Sequence, residues 1–180
     1  MSIKIHSPEK TLLEKINSKT LTIGVIGLGY VGLPLAMEFC QEELSVIGFD
    51  LDINKIQSLN NHQQSYIQDI PSDTIKTAYQ ANCFEATDDF SRLSHVDVIS
   101  ICVPTPLRKT KDPDMSYIFS AIDSIQIHLK KGQLIILEST TYPGTTEEVI
   151  LPKLEEHGLR IGEDIFLAFS PERVDPGNKL

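Results

Sequence analysis

The chain has 180 residues and a formal net charge of −9, from 16 basic and 25 acidic side chains. Binding to a phosphate backbone needs clustered basic residues, and here they are scattered, so we expect no nucleic-acid partner. No apolar run approaches the ~20 residues of a membrane span, and the opening segment lacks the apolar core of a signal peptide. The sequence therefore predicts a cytoplasmic protein of about one domain with no membrane partner.

Short apolar runs rich in Val and Ile alternate with segments of helical period from Leu21 onward. The predicted strands are 21–27, 45–50, 96–103, 133–139 and 164–170, and the predicted helices are 30–43, 53–60, 72–82, 115–129 and 145–157. Such alternation implies right-handed βαβ units. We expect an α/β fold, doubly wound, with a mainly parallel sheet and helices on both faces. Residues 1–20 form an N-terminal extension, and 21–180 form the domain.

Local signals set the expected helix boundaries. Ser72 or Asp73 is the expected N-cap of the third helix, and Asp114 is the expected N-cap of the fourth. Pro152 lies inside the last predicted helix and should kink or divide it, because proline lacks a backbone donor.

The three cysteines Cys40, Cys83 and Cys102 form no CxxC pair and have no histidine at metal-ligand spacing. Their odd number suits a reduced compartment, where a free cysteine packs as a small apolar group. We therefore predict no metal site.

Residues 27–32 read GLGYVG, a GxGxxG pattern at the end of a predicted strand and the start of a predicted helix. In that context Gly27 permits a tight turn, Gly29 lets a pyrophosphate approach the backbone, and Gly32 allows close packing of helix on strand. The N–H groups of Tyr30 and Val31 are then available to phosphate at the helix N-terminus. The pattern predicts a dinucleotide site of the Rossmann type.

Asp50 ends the second predicted strand, 18 residues after Gly32. An acidic residue at about this distance accepts the ribose hydroxyls of the cofactor and repels a 2′-phosphate, so NAD is expected rather than NADP. Lys55 is within reach of the ribose or a phosphate. The alternatives are that Asp50 caps the next helix and that Lys55 is solvated. FAD proteins share the glycine pattern, so it does not by itself define the cofactor.

Three later motifs follow predicted strands, at the sheet edge where open α/β sheets bind ligands. They are CVPTP at 102–106, ESTTYPGT at 138–145 and SPERVDPGN at 170–178. Together with the glycine pattern, they resemble the amino-terminal half of the UDP-glucose/GDP-mannose dehydrogenase family. The last motif looks most like the branch that oxidises UDP-N-acetylhexosamines.

The resemblance implies NAD-dependent oxidation of the C6 hydroxyl of a UDP-N-acetylhexosamine to the carboxylate, in two hydride transfers. The product would supply a surface polysaccharide such as capsule or O-antigen. In such relatives a cysteine captures the aldehyde intermediate and a lysine assists, both in a later domain. This chain is then the cofactor-binding part of a longer enzyme that is a homo-oligomer, and alone it should bind NAD without turning over substrate.

The resemblance also assigns individual residues. Thr105 matches a threonine beside the nicotinamide ribose, and Thr140 matches a catalytic-site threonine that contacts cofactor and positions groups around the reacting carbon. Glu172 matches a glutamate beside the substrate that acts as acid/base or orients water. Arg173, the next residue, could face the substrate diphosphate, and the sequence does not decide its role. The alternatives are that both threonines only stabilise their turns, that Glu172 is an exposed loop carboxylate, and that Arg173 pairs with a neighbouring residue.

Two positions depart from the UDP-glucose enzymes of this family. Pro176 stands where those relatives carry a second glutamate, and Glu138 stands where they usually carry lysine. The first departure speaks against a two-carboxylate mechanism and fits the N-acetylhexosamine branch.

Two other functions remain open from sequence. One is an NAD-binding module that senses cofactor state, and the other is a different Rossmann dehydrogenase, such as one acting on hydroxy acids. The three strand-end motifs count against the second.

Overall fold

The computed structural model describes residues 7–61, 63–109, 113–156 and 158–171. Within these ranges six parallel strands form one sheet, in the order β3-β2-β1-β4-β5-β6. The strands are β1 (Thr22–Ile26), β2 (Ser45–Phe49), β3 (Phe84–Thr87), β4 (Val98–Ile101), β5 (Leu134–Leu137) and β6 (Phe166–Phe169). The predicted doubly wound α/β fold is confirmed.

Helices cover both faces of this sheet. They are α1 (Pro8–Asn17), α2 (Gly32–Gln41), α3 (Ile53–Asn60), α4 (Ser72–Gln80), α5 (Ser116–Gln126) and α6 (Leu151–Glu155), with a 3₁₀ segment at Phe90–His95 and a π-helical segment at Thr145–Ile150. In the described ranges no helix is both long enough and apolar enough to cross a bilayer.

Two apolar cores lie on opposite faces of the sheet, because successive strand residues point to opposite sides. Val98 packs into the core under α1 to α4, whereas its neighbour Ile99 packs into the core under α5 and α6. Both residues are buried. Near-continuous apolar strands therefore reflect burial on two faces rather than one.

Two elements lie outside the predicted set. β3 has only four residues and stands at the sheet edge, so its alternation of buried Phe84 and Ala86 with polar neighbours is too short to mark a strand. α1 lies within the N-terminal 20 residues, where Ser7 accepts a hydrogen bond from the backbone N–H of Lys10 and Leu12 is buried. α1 is thus packed against the domain.

The expected N-cap of α4 is wrong. Pro71 occupies the N-cap position of α4, so neither Ser72 nor Asp73 caps this helix. The hydroxyl of Ser72 instead accepts a hydrogen bond from the N–H of Ser65, at 3.2 Å, in the preceding loop. That loop is therefore tied to the start of α4.

The expected N-cap of α5 is also wrong, because Met115 and not Asp114 occupies that position. The carboxylate of Asp114, one residue earlier, still accepts the N–H of Ser116 at 3.0 Å. The last predicted helix is divided as expected, since a π-helical segment ends at Ile150 and α6 begins next to Pro152.

The cysteines pack partly or wholly inside the domain. Cys102 is buried, and Cys40 and Cys83 are half-buried between α2 and β3. The thiol of Cys40 donates to the carbonyl oxygen of Cys83, and that of Cys83 donates to the carbonyl oxygen of Ala78, both at 3.3 Å. These contacts fit a packing role.

The sheet order places a topological switch between β1 and β4. The chain leaves β1 toward one face and β4 toward the other, so a crevice opens outside their carboxyl ends. Gly27 follows β1 and Cys102 follows β4 at this crevice. The predicted glycine pattern therefore lies where the fold itself leaves a ligand site.

Asn60 closes the outer edge of the sheet. Its side-chain amide donates to the carbonyl oxygen of Ala86 at 2.7 Å, and its amide oxygen accepts the N–H of Ala86 at 3.1 Å. The hydroxyl of Tyr79 donates to the same amide oxygen. One side chain thus satisfies both backbone groups of Ala86 at the outer edge of β3, where another strand would otherwise be able to pair.

We expect Asn60→Ala to lower the free energy of unfolding by about 1–2 kcal/mol, because the buried backbone groups of Ala86 lose their partners. Urea unfolding followed by far-UV circular dichroism measures this. The adjacent Asn61→Ala, at an exposed position, is the control and should stay within about 0.5 kcal/mol of the parent. Equal losses for both variants would contradict the role of Asn60.

Candidate functional site

The glycine-rich loop is shaped by close backbone contacts. Gly27 has φ of 90°, and a Cβ there would lie 2.7 Å from the carbonyl oxygen of Cys102. A Cβ at Gly32 would lie 1.9 Å from the carbonyl oxygen of Gly27. A Cβ at Gly29, in contrast, would have no neighbouring atom within 4 Å. Gly27 and Gly32 are thus required by the fold, and Gly29 faces open space.

The loop leads directly into the N-terminus of α2. The helix begins at Gly32, and no side chain caps it. Tyr30 is exposed and Val31 is half-buried just before the first turn. Uncapped N–H groups and the helix dipole make this end a site for an anion.

Asp50 is held in place by three donors. Its Oδ2 accepts the N–H of Leu28 at 2.8 Å and the ammonium of Lys55 at 2.9 Å, and its Oδ1 accepts the N–H of Asp52 at 2.9 Å. Its side chain is only 10% exposed, so these bonds compensate the burial of its charge. The cap of α3 is Asp52, which accepts the N–H of Asn54. Asp50 is therefore not the helix cap, and Lys55 is an ion-pair partner rather than a solvated side chain.

These elements enclose one cleft of about 720 Å³ at the switch between β1 and β4. Of the residues predicted to bind cofactor, those that line it are Gly27, Gly29, Tyr30, Val31, Asp50 and Lys55. Gly32 lies behind them, at the base of the loop. The structure thus brings together residues that the sequence places up to 28 positions apart.

Several lining residues were not predicted. Leu51 and Tyr117 stand out because large apolar side chains are exposed there, by 76% and 47%. Ser120 and Ser124 lie on the same face of α5 as Tyr117 and also line the cleft. Leu51 follows Asp50 directly in the sequence. Tyr117, Ser120 and Ser124 are three and four residues apart, which predicts that they share one face of α5. These two signals were available from the sequence.

Thr105 and Thr140 lie at the same sheet edge without lining this cleft. Among the described residues, the lining from β4 consists of Cys102, Val103 and Pro104. Thr105 is half-buried in the turn after β4, and Thr140 is exposed after β5. The remaining site predictions, Glu172 and Arg173, lie outside the described residues.

Ser139 joins the two strand ends and was not predicted. Its hydroxyl lies 2.7 Å from the carbonyl oxygen of Val103 and 3.3 Å from that of Ile101. This side chain is buried. It holds the segment before Thr140 against the turn that contains Thr105.

The fold and the cleft together define a dinucleotide-binding Rossmann domain. A glycine loop enters an uncapped helix at the topological switch point, and a buried carboxylate ends the neighbouring strand. The residues present fit such a ligand, because open space at Gly29 lets a diphosphate approach the backbone while Asp50 faces the same cleft.

The comparison with protein families agrees with this class. Residues 21–180 match the model of the UDP-glucose/GDP-mannose dehydrogenase family, NAD binding domain. The chain belongs to this family, and its cofactor is NAD.

Individual relatives are similar over most of this chain. The UDP-N-acetyl-D-glucosamine 6-dehydrogenase of Pseudomonas aeruginosa is 41% identical over 162 residues, which are 89% of this chain and 37% of the relative. The crystal structure of NDP-N-acetyl-D-galactosaminuronic acid dehydrogenase from Methanosarcina mazei Go1 is 37% identical, with a TM-score of 0.83 over 94% of this chain and 38% of that one. The UDP-D-ManNAc dehydrogenase of Pyrococcus horikoshii has a TM-score of 0.81 at 38% identity, over 87% of this chain and 37% of that one. The chain therefore spans less than two fifths of the length of each.

The different surroundings of two glycines give a test of the loop. We expect Gly29→Ala to keep the free energy of unfolding within about 0.5 kcal/mol, because its Cβ meets open space, but to weaken NAD binding about tenfold by filling the approach to the backbone. Gly32→Ala should cost about 3 kcal/mol of stability, because its Cβ collides with backbone.

Urea unfolding and isothermal titration with NAD measure the two effects separately. A stable Gly32→Ala variant would contradict the packing role of Gly32. A Gly29→Ala variant with unchanged NAD affinity would contradict the role of Gly29 at the cleft.

Proposed function

We propose that this chain is the NAD-binding part of an enzyme that oxidises the C6 hydroxyl of a UDP-N-acetylhexosamine to the carboxylate. The observation that carries the proposal is the cleft at the β1/β4 switch, which unites the glycine loop with Asp50 in a member of this family. Relatives named for N-acetylhexosamine substrates, at 37–41% identity, support the substrate class.

Each part of the cleft has a role toward the cofactor. The N–H groups at Gly29, Tyr30 and Val31 bind the diphosphate, which explains how a chain of net charge −9 holds an anion without a basic patch. Asp50 and Lys55 bind the adenosine ribose. NAD supplies the hydride acceptor for the alcohol carbon, and the residues of this chain orient it.

The exposed apolar side chains suit the adenine ring. Leu51 and Tyr117 line the same cleft as Asp50, and a planar heterocycle covers apolar surface at little conformational cost. At the other side of the loop, Val103 and Pro104 line the cleft next to Thr105. We assign that side to the nicotinamide ribose.

Substrate is handled at the neighbouring strand ends. Thr140 contacts the cofactor and positions groups around the reacting carbon, while Glu172 acts as acid/base or orients water and Arg173 binds the substrate diphosphate. The hydrogen bond from Ser139 to Val103, in the turn after β4, supports a common location for Thr105 and Thr140. The enzyme acts in the cytoplasm as a homo-oligomer, and its product enters surface polysaccharide synthesis.

Cofactor choice tests the role of Asp50. We expect Asp50→Asn to weaken NAD binding and to narrow the preference for NAD over NADP about tenfold, because the carboxylate no longer repels the 2′-phosphate. Asparagine keeps an oxygen for the N–H of Leu28. Isothermal titration with each cofactor measures the two dissociation constants.

Asp69→Asn is the matched control, since Asp69 is exposed and lies in the loop before α4. This variant should keep the preference for NAD over NADP within about twofold of that of the parent chain. Equal affinities of the parent chain for NAD and NADP would contradict the assignment of Asp50.

The substrate class is tested by NADH formation on the complete product of the gene. With NAD we expect two NADH per UDP-N-acetylhexosamine consumed, because oxidation of an alcohol to a carboxylate removes two hydrides, and much slower oxidation of UDP-glucose. The 180-residue chain alone should form no NADH with UDP-GlcNAc.

NADH formation is followed by absorbance, and the reaction without sugar is the control. Faster turnover of UDP-glucose would overturn the substrate class. One NADH per sugar would overturn oxidation to the carboxylate, and sustained turnover by the 180-residue chain would overturn its restriction to cofactor binding.

A further inference from the structure

The peptide group between Leu28 and Gly29 lies at the centre of the glycine loop. The hydroxyl of Tyr66 donates to the carbonyl oxygen of Leu28 at 2.7 Å. The N–H of Leu28 donates to Asp50 at 2.8 Å. The loop residue between the first two glycines is therefore held by one side chain at each of its polar backbone groups.

The side chain of Leu28 adds a third restraint. It is fully buried, and a Cβ at Gly48 of β2 would lie 2.7 Å from its Cδ2 atom. The residue cannot rotate without losing this packing. Its backbone orientation is thus determined jointly by the strand beneath it, by Asp50 and by Tyr66.

Tyr66 comes from a connection that is itself well anchored. It lies between α3 and α4, next to the buried Ile67, and Ile70 of the same connection is buried as well. The hydroxyl of Ser65 interacts with both the N–H and the carbonyl oxygen of Ile67, at 3.1 and 2.9 Å. The ring of Tyr66 is therefore presented from a compact turn, far in sequence from the loop it contacts.

Tyr66 is a hydrogen-bond donor throughout the physiological range. Burial raises the pKa of its hydroxyl, and the nearby carboxylates of Asp50 and Asp52 raise it further. The neutral phenol therefore persists, and its proton is directed to the carbonyl oxygen of Leu28.

A trans peptide is planar, so its carbonyl and its N–H point in opposite directions. The described chain contains no cis peptide bond. The bond from Tyr66 to the carbonyl of Leu28 therefore also sets the direction of the N–H of Gly29, which points away from Tyr66. Gly29 lines the cleft, where a Cβ would meet open space.

We propose that Tyr66 is a positioning residue of the cofactor site, which orients the N–H of Gly29 toward the diphosphate by binding the carbonyl of Leu28. It acts through the loop and does not line the cleft itself. This inference rests on the proposed function only in taking the cleft to hold the diphosphate of NAD. A preorganised donor binds an anion without the cost of ordering the loop on binding.

The test is Tyr66→Phe in the 180-residue chain, which keeps the ring and removes the hydroxyl. We expect the dissociation constants for NAD and for ADP to rise about fivefold to tenfold, the effect of losing one hydrogen bond. Binding of adenosine, which has no diphosphate, should change less than twofold. Isothermal titration measures the dissociation constants for NAD and ADP, and an NMR titration measures the one for adenosine.

Tyr79→Phe is the matched control. Tyr79 is also a half-buried tyrosine whose hydroxyl donates a hydrogen bond, to Asn60, and it lies outside the cleft. Removal of this hydroxyl should lower the urea midpoint and leave the dissociation constant for NAD within about twofold of the parent value. A purely structural role of Tyr66 would make the two variants behave alike.

A readout without cofactor separates this inference from the proposed function. In the ¹H–¹⁵N spectrum of the free chain, Tyr66→Phe should shift the amide resonance of Gly29, and Tyr79→Phe should leave it in place. An unmoved Gly29 resonance overturns the positioning role, as does an unchanged NAD affinity or an equal loss for adenosine and ADP. Failure of the parent chain to bind NAD would overturn the proposed function, while the shift of the Gly29 resonance would still support the link to Tyr66.

Discussion

The return of the chain from β1 into α2 is the constraint on which the rest of the site depends. The carbonyl oxygen of Gly27 would lie 1.9 Å from a Cβ at Gly32, so helix and strand approach more closely than any side chain permits. This approach brings the uncapped N-terminus of α2 to the switch between β1 and β4. The cleft, its backbone donors and the position of Asp50 beside them all follow from this turn.

The electrostatics of the cleft explain how an acidic chain can hold a diphosphate. Backbone N–H groups at a helix N-terminus carry partial positive charge and need no basic side chain. Asp50 would oppose an anion, yet its charge is compensated by two backbone N–H groups and by Lys55. The same carboxylate stabilises the loop through Leu28 and lines the cleft. Under the proposed function it also binds the ribose, so we expect loop structure and cofactor choice to depend on one side chain.

The elements that sequence reasoning placed correctly are those with a strong local pattern. Continuous apolar runs marked five of the strands, and α3 begins and ends where its period predicted. β3 was missed because a strand of four residues shows too little alternation to be recognised. Asn60, which bonds to Ala86 in this strand, lies 26 positions away in sequence. The expected cap of α4 was wrong because Pro71 occupies the N-cap position, and the hydroxyl of Ser72 accepts a hydrogen bond from the N–H of Ser65 in the preceding loop.

The sequence by itself determined the fold class, the family resemblance and the nature of the cofactor, because glycines, an acidic strand end and strand-end motifs are local signals. Only the tertiary structure decided which side chains meet. It paired Lys55 with Asp50 and brought the hydroxyl of Tyr66 to the carbonyl of Leu28, 38 positions away. The physical reason is that these donors meet their acceptors only when the core packs, and Tyr66 is also distant from Leu28 in sequence. No local sequence pattern indicates such a contact.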